Sequence, residues 1–363
     1  MTKPSRIVLS LLLVCGLVGL GWQSLSGSRP SFLGKSVNYW IRSFANKNVN
    51  QAEGVLTGMG LPALPYLVTA FHNEDSRFAK EWSEVWNASP AFARRLLPAP
   101  VPWKGIHGSV IETIGAIGGQ YRFGDSAGNA PTPPELKAAV QTLARGLEDG
   151  EPQERVRCAQ ALAFIGPHAR SAVPALVGMF ERGDSKEQIF AAQALGTIGS
   201  YPGVEQSLPS LIKGLDSPNQ KVVTSSADAL GGIGPQAQTA VPVLVKLLSS
   251  DDESKRKSAV RALARIGNIP SVARPQLKLL LNETNSAIRA GAAVALLHLD
   301  PEDRLAINVV KECLSRRETS GTLFLMRESN SVHRIEPPEG NVAPFARKAL
   351  RKIFADATNQ SVK

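Results

Sequence analysis

The sequence contains little of what many catalytic and disulfide-stabilised proteins depend on. Among 363 residues it has five histidines, 6% aromatic residues and only three cysteines, Cys15, Cys158 and Cys313. The cysteines form no C-x-x-C pair, and no histidines or cysteines cluster at ligand spacing, so the sequence predicts neither a disulfide framework nor a metal site. Abundant Ala, Leu and Gly with few aromatic residues favour close-packed helices over a β-sandwich.

Signatures of common enzyme classes are also missing, including the P-loop, the dinucleotide-binding G-x-G-x-x-G and HExxH. One short match, GDSAG at Gly124–Gly128, has the form of the nucleophile elbow of α/β-hydrolases. An elbow needs a core strand before Ser126 and a helix directly after it. Gln120–Phe123 is too short for that strand, and three prolines in 129–134 prevent an immediate helix. We therefore predict a turn in an inserted loop, no catalysis, no cofactor and no small-molecule substrate.

The N-terminus has the pattern of an export signal or a membrane anchor. Lys3 and Arg6 precede an uncharged apolar run, Ile7–Leu20, which is shorter than the roughly 20 residues of a bilayer-spanning helix. Extension through Trp22 would give a short anchor with an interfacial tryptophan. We expect residues 1–28 to be a cleaved signal peptide or a retained anchor. The protein would then be secreted or held at the membrane, facing the periplasm or extracytoplasmic space.

A period of about 33 residues organises the rest of the chain. The segments AQALAFIG, AQALGTIG, ADALGGIG and VRALARIG end at Gly166, Gly199, Gly234 and Gly267, and a degenerate copy ends at Asp300. After each glycine comes a V-P-x-L segment or a variant of it, starting at Val173, Leu208, Val241 and Arg274. Earlier copies end at Gly60 and Gly118, and a last one ends near Phe354.

Each repeat is predicted to be two antiparallel helices. Ala159, Leu162 and Ile165 form one apolar stripe on the first helix, and small alanines beside it permit close helix contact. The glycine is expected to end that helix in a left-handed cap, and the proline to open the second helix. Such a pair cannot bury its apolar face alone, so the repeats must stack.

The A-x-A-L-x-x-I-G…V-P-x-L pattern resembles HEAT repeats, especially the subtype related to phycobilin-lyase subunits. Val156-Arg157 and Ile288-Arg289 match a V-R dipeptide of that subtype, whereas Ile189-Phe190 and Val222-Val223 depart from it. Phe32–Phe44 also resembles a G-K-x-x-x-x-W-[LI] stretch that precedes such repeats in exported bacterial proteins. The resemblance implies an all-α right-handed superhelix of about seven or eight helical hairpins.

Breaks in the period complete the predicted domain organisation. Residues 29–50 form a lead-in and 51–363 the solenoid, with insertions near 72–105, 119–134 and 316–341. The first insertion carries Trp82 and Trp86 at i, i+4 spacing, which suits a partner-docking helix because tryptophan is frequent at interface hot spots. The other interpretation, a cap over the exposed face of the first repeat, is the one we favour, because every solenoid requires such a cap.

The formal charge is +10. Arg145, Lys213 and Lys246 occupy equivalent positions in the second helices, with Gly178 in the same column. Because second helices usually line the concave face of HEAT-type stacks, these three are predicted to form a positive ladder there for an acidic protein partner; a solvated polar face is the alternative. A further basic cluster, Lys255, Arg256, Lys257, Arg261 and Arg265, is expected on the convex side.

The leading functional prediction is a non-catalytic protein-interaction scaffold, exported or tethered to the membrane. One alternative is an enzyme subunit resembling bilin lyases, and another is a basic solenoid that binds nucleic acid. Export disfavours the nucleic-acid alternative, and export together with the missing catalytic constellation disfavours the lyase alternative.

Overall fold

The computed structural model describes residues 30–45, 48–72, 84, 86–90, 103–121, 131–199 and 203–315. The predicted signal or anchor, the GDSAG segment, Trp82 and residues 316–363 lie outside these ranges. Contacts divide the chain into two compact units, Met1–Val110 and Ile111–Lys363.

The first unit begins with a small hairpin. Strands β1 (Ser31–Phe32) and β2 (Lys35–Ser36) pair antiparallel through a two-residue turn, Leu33-Gly34. Both turn residues have positive φ, 54° at Leu33 and 71° at Gly34, as a type I′ turn requires. Helix α1 (Val37–Ser43) follows directly, with Ser36 as its N-cap.

Two further helices of the first unit are joined by a sharp bend. Helix α2 (Val49–Met59) ends at Gly60, and a 3-10 turn (Leu61–Ala63) leads into α3 (Leu64–His72). Among the described residues no single helix is long and apolar enough to cross a membrane, although this bent pair passes by length and composition.

The second unit is an all-α solenoid, which confirms the predicted fold class. Helix α4 (Trp103–Gln120) spans the boundary between the units. The repeat helices that follow are α5 (Pro134–Asp149), α6 (Pro152–Ile165), α7 (Val173–Arg182), α8 (Ser185–Ile198), α9 (Leu208–Gly214), α10 (Gln220–Ile233), α11 (Val241–Leu247), α12 (Glu253–Ile266), α13 (Arg274–Leu280), α14 (Ser286–Leu299) and α15 (Arg304–Ser315).

The repeat glycines end their helices as expected, but with a different backbone conformation. Gly166, Gly199, Gly234 and Gly267 have φ between 65° and 74°. Their ψ values lie between −128° and −164°, outside the left-handed helical region of the predicted cap. These angles fall in or near a region that only glycine occupies readily, so the requirement for glycine is stronger than for a left-handed cap.

The helices that pair in the structure are not the ones that the sequence predicted to pair. Each V-P-x-L helix packs against the helix that follows it, and not against the A-x-A-L helix that precedes it in the repeat. A 3-10 segment such as Gly166–Ala172 or Gly234–Ala240 separates the two helices of the predicted pair. The hairpins are therefore α5–α6, α7–α8, α9–α10, α11–α12 and α13–α14. A short polar turn closes each hairpin.

The residue that ends each of these turns also starts the next helix. Asp184, Asn219, Asp252 and Asn285 are N-caps whose side chains accept hydrogen bonds from backbone N–H groups of the first turn. At Asp184 a reciprocal bond from its own N–H to Glu187 completes a capping box. Asp252 lies in the middle of an acidic run, 251–253, whose charges also suit the positive end of the helix dipole.

Candidate partner-binding surface

The solenoid has two helix layers with different spacing. Helices α6, α8, α10, α12 and α14, here called the A-x-A-L layer, contact one another along their lengths. Small residues cause this closeness: a Cβ added at Gly196 would lie 2.7 Å from Ala229 Cα, and one at Gly231 would lie 2.9 Å from Ala262 Cα. Gly115 of α4 approaches Ala161 in the same way, at 2.9 Å.

The second layer, α5, α7, α9, α11 and α13, is called the V-P-x-L layer. Its neighbouring helices contact one another much less, especially from α9 onward. Arg145, Lys213 and Lys246 all lie on helices of the V-P-x-L layer. Their position on the concave face stays a prediction.

The three basic residues nevertheless form a regular exposed row. Arg145 lies on α5, Lys213 on α9 and Lys246 on α11, and all three side chains are exposed. None of them has a hydrogen bond or an ion pair to any residue that the structure describes. The residue before each of them, Ala144, Ile212 and Val245, is half-buried.

The gap in this row at Gly178 is occupied by another cation. Arg182, one turn further along α7, donates from Nε to the Gly178 carbonyl oxygen at 3.2 Å. Its Nη2 would lie 3.0 Å from a Cβ at residue 178, so the guanidinium folds over the glycine. The cation row therefore comprises Arg145, Arg182, Lys213 and Lys246. Arg182 follows Gly178 by four residues, and this i, i+4 spacing is the sequence feature that could have identified it as a member of the row.

Acidic residues accompany the row over part of its length. Glu148, Glu181 and Asp216 follow the row position by three residues in α5, α7 and just after α9, whereas Ser249 takes this position beyond α11. Glu181 accepts a hydrogen bond from the Ser210 hydroxyl at 2.6 Å. Charge in the row is thus least compensated at Lys246.

The basic excess of the whole chain does not come from these repeats. Residues 131–315 contain twenty Lys and Arg and nineteen Asp and Glu. Binding by this region would therefore depend on local charge patterns rather than on a general positive field.

A shallow cavity of about 330 Å³ lies beyond the Lys246 end of the row. It lies between the turn after α11 and the turn after α13, and its lining includes Leu248, Arg256, Leu279 and Glu283. Leu279 occupies the row position of α13 and is 65% exposed. Beyond Lys246, the next position of the row is therefore the exposed apolar side chain of Leu279, which lies beside this cavity.

Part of the predicted convex basic cluster has a structural role. Arg256 donates from Nη1 to the carbonyl oxygens of Ser250 and Asp251, at 2.8 and 3.0 Å, and thus braces the turn before its own helix. Its Nη2 lies 2.9 Å from a carboxylate oxygen of Glu283. Arg261 forms an ion pair with Asp228 of the neighbouring helix. These two side chains are not free to bind a partner.

The brace at Arg256 recurs in two other A-x-A-L helices, at the residue that lies ten positions before the last residue of the helix. Arg289 bonds to the Glu283 and Thr284 carbonyls, and Arg155 to the Gly150 carbonyl. Arg155, not Arg157, is therefore the equivalent residue in its repeat. Arg157 instead makes an exposed ion pair with Glu112, at 3.5 Å. The match of Val156-Arg157 to the V-R dipeptide is thus out of register.

Two histidines connect segments within the second unit. Both ring nitrogens of His168 are engaged, one with the Thr132 hydroxyl at 3.1 Å and one with the Tyr121 carbonyl at 3.2 Å. It therefore connects two residues near the ends of the predicted insertion at 119–134. His298 is buried, and its Nε2 donates to the Ala264 carbonyl at 2.9 Å. Desolvation by burial lowers the His298 pKa, opposed in part by that hydrogen bond.

No group of His, Cys, Asp and Glu among the described residues could hold a metal ion. Cys158 and Cys313 are both buried. Burial raises the pKa of the Cys158 thiol well above its usual value, and the charge of Glu154 raises it further. The thiol is therefore a packing residue, since reactive thiols have lowered pKa values.

Trp86, from the predicted docking pair, is half-buried in a short helical segment. Its predicted partner Trp82 lies outside the described residues, so their pairing stays a prediction.

The repeat geometry agrees with a family model. The model for HEAT repeats matches residues 140–231, 208–298 and 241–318. Residues 140–318 are HEAT repeats. No curated protein matches the chain.

Several solved structures are similar to this chain. An engineered protein is 24% identical, with a TM-score of 0.42, over 53% of this chain and 93% of its own. A designed armadillo repeat protein in complex with the peptide (KR)4 is 20% identical, with a TM-score of 0.43, over 55% and 95%. The complex of CpcE and CpcF of phycocyanin lyase from Nostoc sp. PCC7120 is 18% identical, with a TM-score of 0.39, over 80% and 98%.

Proposed function

We propose that the chain is a non-catalytic scaffold that binds an acidic protein segment along the cation row. The observation that supports this proposal is the repeated exposure of one cation per helix, including Arg182 in place of the missing side chain at Gly178. Single surface charges are common, but three cations at equivalent positions, with Arg182 folded over the fourth position, match an extended partner. Carboxylates spaced at the repeat distance would pair with them.

The expected binding energy is small at each position and adds along the row. An exposed ion pair contributes about 0.2–1 kcal/mol. Four such pairs, together with apolar contact at Leu279, give an affinity that depends strongly on salt. The same reasoning predicts mainly a faster association with an acidic partner, because local positive charge steers encounter.

The proposal includes export or tethering through residues 1–28. The apolar run Ile7–Leu20 after two basic residues supports it. Protease added to spheroplasts should degrade the repeats if they face the periplasm or extracytoplasmic space, and only after lysis if they are cytosolic.

The test compares two sets of charge reversals in the full chain. One variant changes Arg145, Arg182, Lys213 and Lys246 to Glu. The matched control reverses Lys221 and Lys257, two exposed lysines of the A-x-A-L layer. Both variants should keep the far-UV circular dichroism spectrum of the parent chain, because none of these side chains is buried.

Tagged chains are then used to recover crosslinked proteins from membrane and extracytoplasmic fractions, with quantification by mass spectrometry. Proteins lost with the row variant but kept with the control identify the partner of the row. Equal recovery by both variants contradicts the proposal.

The nucleic-acid alternative predicts a different result. It requires DNA or RNA affinity with a steep salt dependence. The near balance of charges over residues 131–315 makes that unfavourable for the repeats.

A further inference from the structure

The hairpin of the first unit presents apolar side chains at an exposed tip. Phe32 is 42% exposed and Leu33 is 69% exposed. Leu33 also has φ of 54°, a conformation that leucine rarely adopts, whereas Asn is well suited to this position of a type I′ turn. A strained, exposed leucine is unfavourable for folding alone, so an external contact would explain its presence.

The tip is held rigidly against helix α1. The Trp40 indole donates from Nε1 to the Phe32 carbonyl at 3.3 Å, and the Trp40 side chain is buried. Lys35 places its ammonium 4.2 Å from the centre of the Tyr39 ring and 2.9 Å from the Tyr39 hydroxyl oxygen. Tyr39 is 46% exposed. Apolar groups, an amphipathic ring and a cation thus share one small surface, the combination found at membrane interfaces.

All charged side chains of the surrounding sequence are basic. Residues 1–52 contain no Asp or Glu, and the first acidic residue is Glu53. The same stretch contains six basic residues: Lys3, Arg6, Arg29, Lys35, Arg42 and Lys47. A surface with this charge is attracted to anionic lipid headgroups.

The sequence also keeps the hairpin close to the apolar N-terminal run. Leu33 follows Leu20 by thirteen residues, which reach at most about 45 Å when fully extended. A segment that tethers Ile7–Leu20 to a bilayer therefore keeps the hairpin within reach of the same bilayer.

We propose that the lead-in docks onto an anionic membrane surface, with Phe32 and Leu33 inserted at the interface and Tyr39, Lys35 and Arg42 among the headgroups. This inference rests on the proposed N-terminal tether. It assigns the lead-in a second membrane contact, distinct from the tether, which fixes its orientation at the bilayer. The lipid surface is preferred over a protein partner because the cations and apolar tip occur together beside an apolar run.

Leu33→Asn separates docking from folding. Asparagine suits the turn, so the hairpin should be at least as stable as in the parent chain. The inserted leucine is lost, however, and we expect the docking equilibrium constant to fall about tenfold. Leu305→Gln, which removes an exposed leucine from α15, is the matched control.

The full chain is measured in vesicles with and without phosphatidylglycerol. An environment-sensitive fluorophore is attached at Asn38→Cys, an exposed position of α1, in a Cys15→Ser background where the remaining native thiols are buried. Flotation reports the tether, and a blue shift of the fluorophore reports docking. We expect the blue shift only with the anionic lipid, its loss in Leu33→Asn and at high salt, and unchanged flotation and blue shift in Leu305→Gln.

Four results overturn the inference. If the chain floats but the fluorophore does not shift, the tether stands and lead-in docking is wrong. If the shift persists in Leu33→Asn, the tip is not the contact. If the chain neither floats nor shifts, the tether fails together with the docking. A shift produced by a purified protein partner, but not by lipid, would assign the surface to that protein.

Discussion

Close packing of the A-x-A-L layer predicts a destabilising effect of one added methyl group. In Gly196→Ala the new Cβ would lie 2.7 Å from Ala229 Cα and 3.3 Å from Ala229 Cβ. The first distance is a backbone contact that no side-chain rotation relieves, so α8 and α10 must separate. Overpacking of this kind costs about 1–3 kcal/mol.

The gain in helix propensity offsets part of that cost. Replacing glycine by alanine inside a helix contributes about 0.5–1 kcal/mol of stability. We therefore expect Gly196→Ala to lower the free energy of unfolding by about 1–2 kcal/mol. Gly178→Ala is the matched control, because it lies within α7 and its nearest neighbour is the flexible Arg182 Nη2 at 3.0 Å. That variant should be neutral or slightly more stable.

The assay is urea denaturation of the full chain, followed by far-UV circular dichroism. Because solenoids can unfold in parts, amide hydrogen exchange in α8 and α10 should locate the change. Exchange should quicken in both helices of Gly196→Ala and in neither helix of Gly178→Ala. Equal urea midpoints for the two variants would refute the role of glycine in this contact.

Three further predictions concern buried polar groups. Arg155→Met should lower the free energy of unfolding by about 2 kcal/mol, because the buried Glu187 carboxylate loses its ion-pair partner at 2.6 Å. The urea midpoint measures this change, and an unchanged midpoint would contradict the prediction. The pKa of His298 is lowered in the folded chain, so the unfolded chain binds a proton at higher pH than the folded one does. The free energy of unfolding should therefore fall as the pH drops below about 6.5, by at most about 1.4 kcal/mol per pH unit. His298→Gln should remove that component of the slope. Cys158 and Cys313 should resist a thiol reagent until urea is added, and rapid labelling of the native chain at either residue would be inconsistent with burial.

Several features of the repeats could be predicted from sequence because they depend on local chemistry. Gly166, Gly199, Gly234 and Gly267 end helices since the chain needs a backbone conformation that side chains disfavour. Prolines open the following helices, where a missing N–H has no cost. The family of the repeats followed from the same residues. These constraints act within one or two turns, so one sequence displays them.

Helix pairing depended on distant contacts and was predicted incorrectly. The same leucines would be buried whether a V-P-x-L helix pairs with the A-x-A-L helix before it or with the one after it. Only tertiary packing selects the pair α7–α8 over the pair α6–α7. Which of the two helix layers faces a partner also depends on how the repeats stack, so the concave position of Lys213 and its equivalents stays a prediction. The functions of charged residues were also undetermined, because Arg155 and Arg157 look alike until one bonds to a turn and the other to a neighbouring helix.

The sequence by itself determined that this protein is a stack of helical repeats, because the period, the small residues and the helix-ending glycines each restrict the local backbone. The tertiary structure decided which surfaces are available for binding. Whether a side chain is exposed depends on the segments around it. Arg182 lies in the cation row because it folds over Gly178, and Arg256 is held against the turn to which it bonds. Leu33 is exposed at the tip of a hairpin. No periodicity in the chain specifies those contacts, since each depends on where a second segment lies.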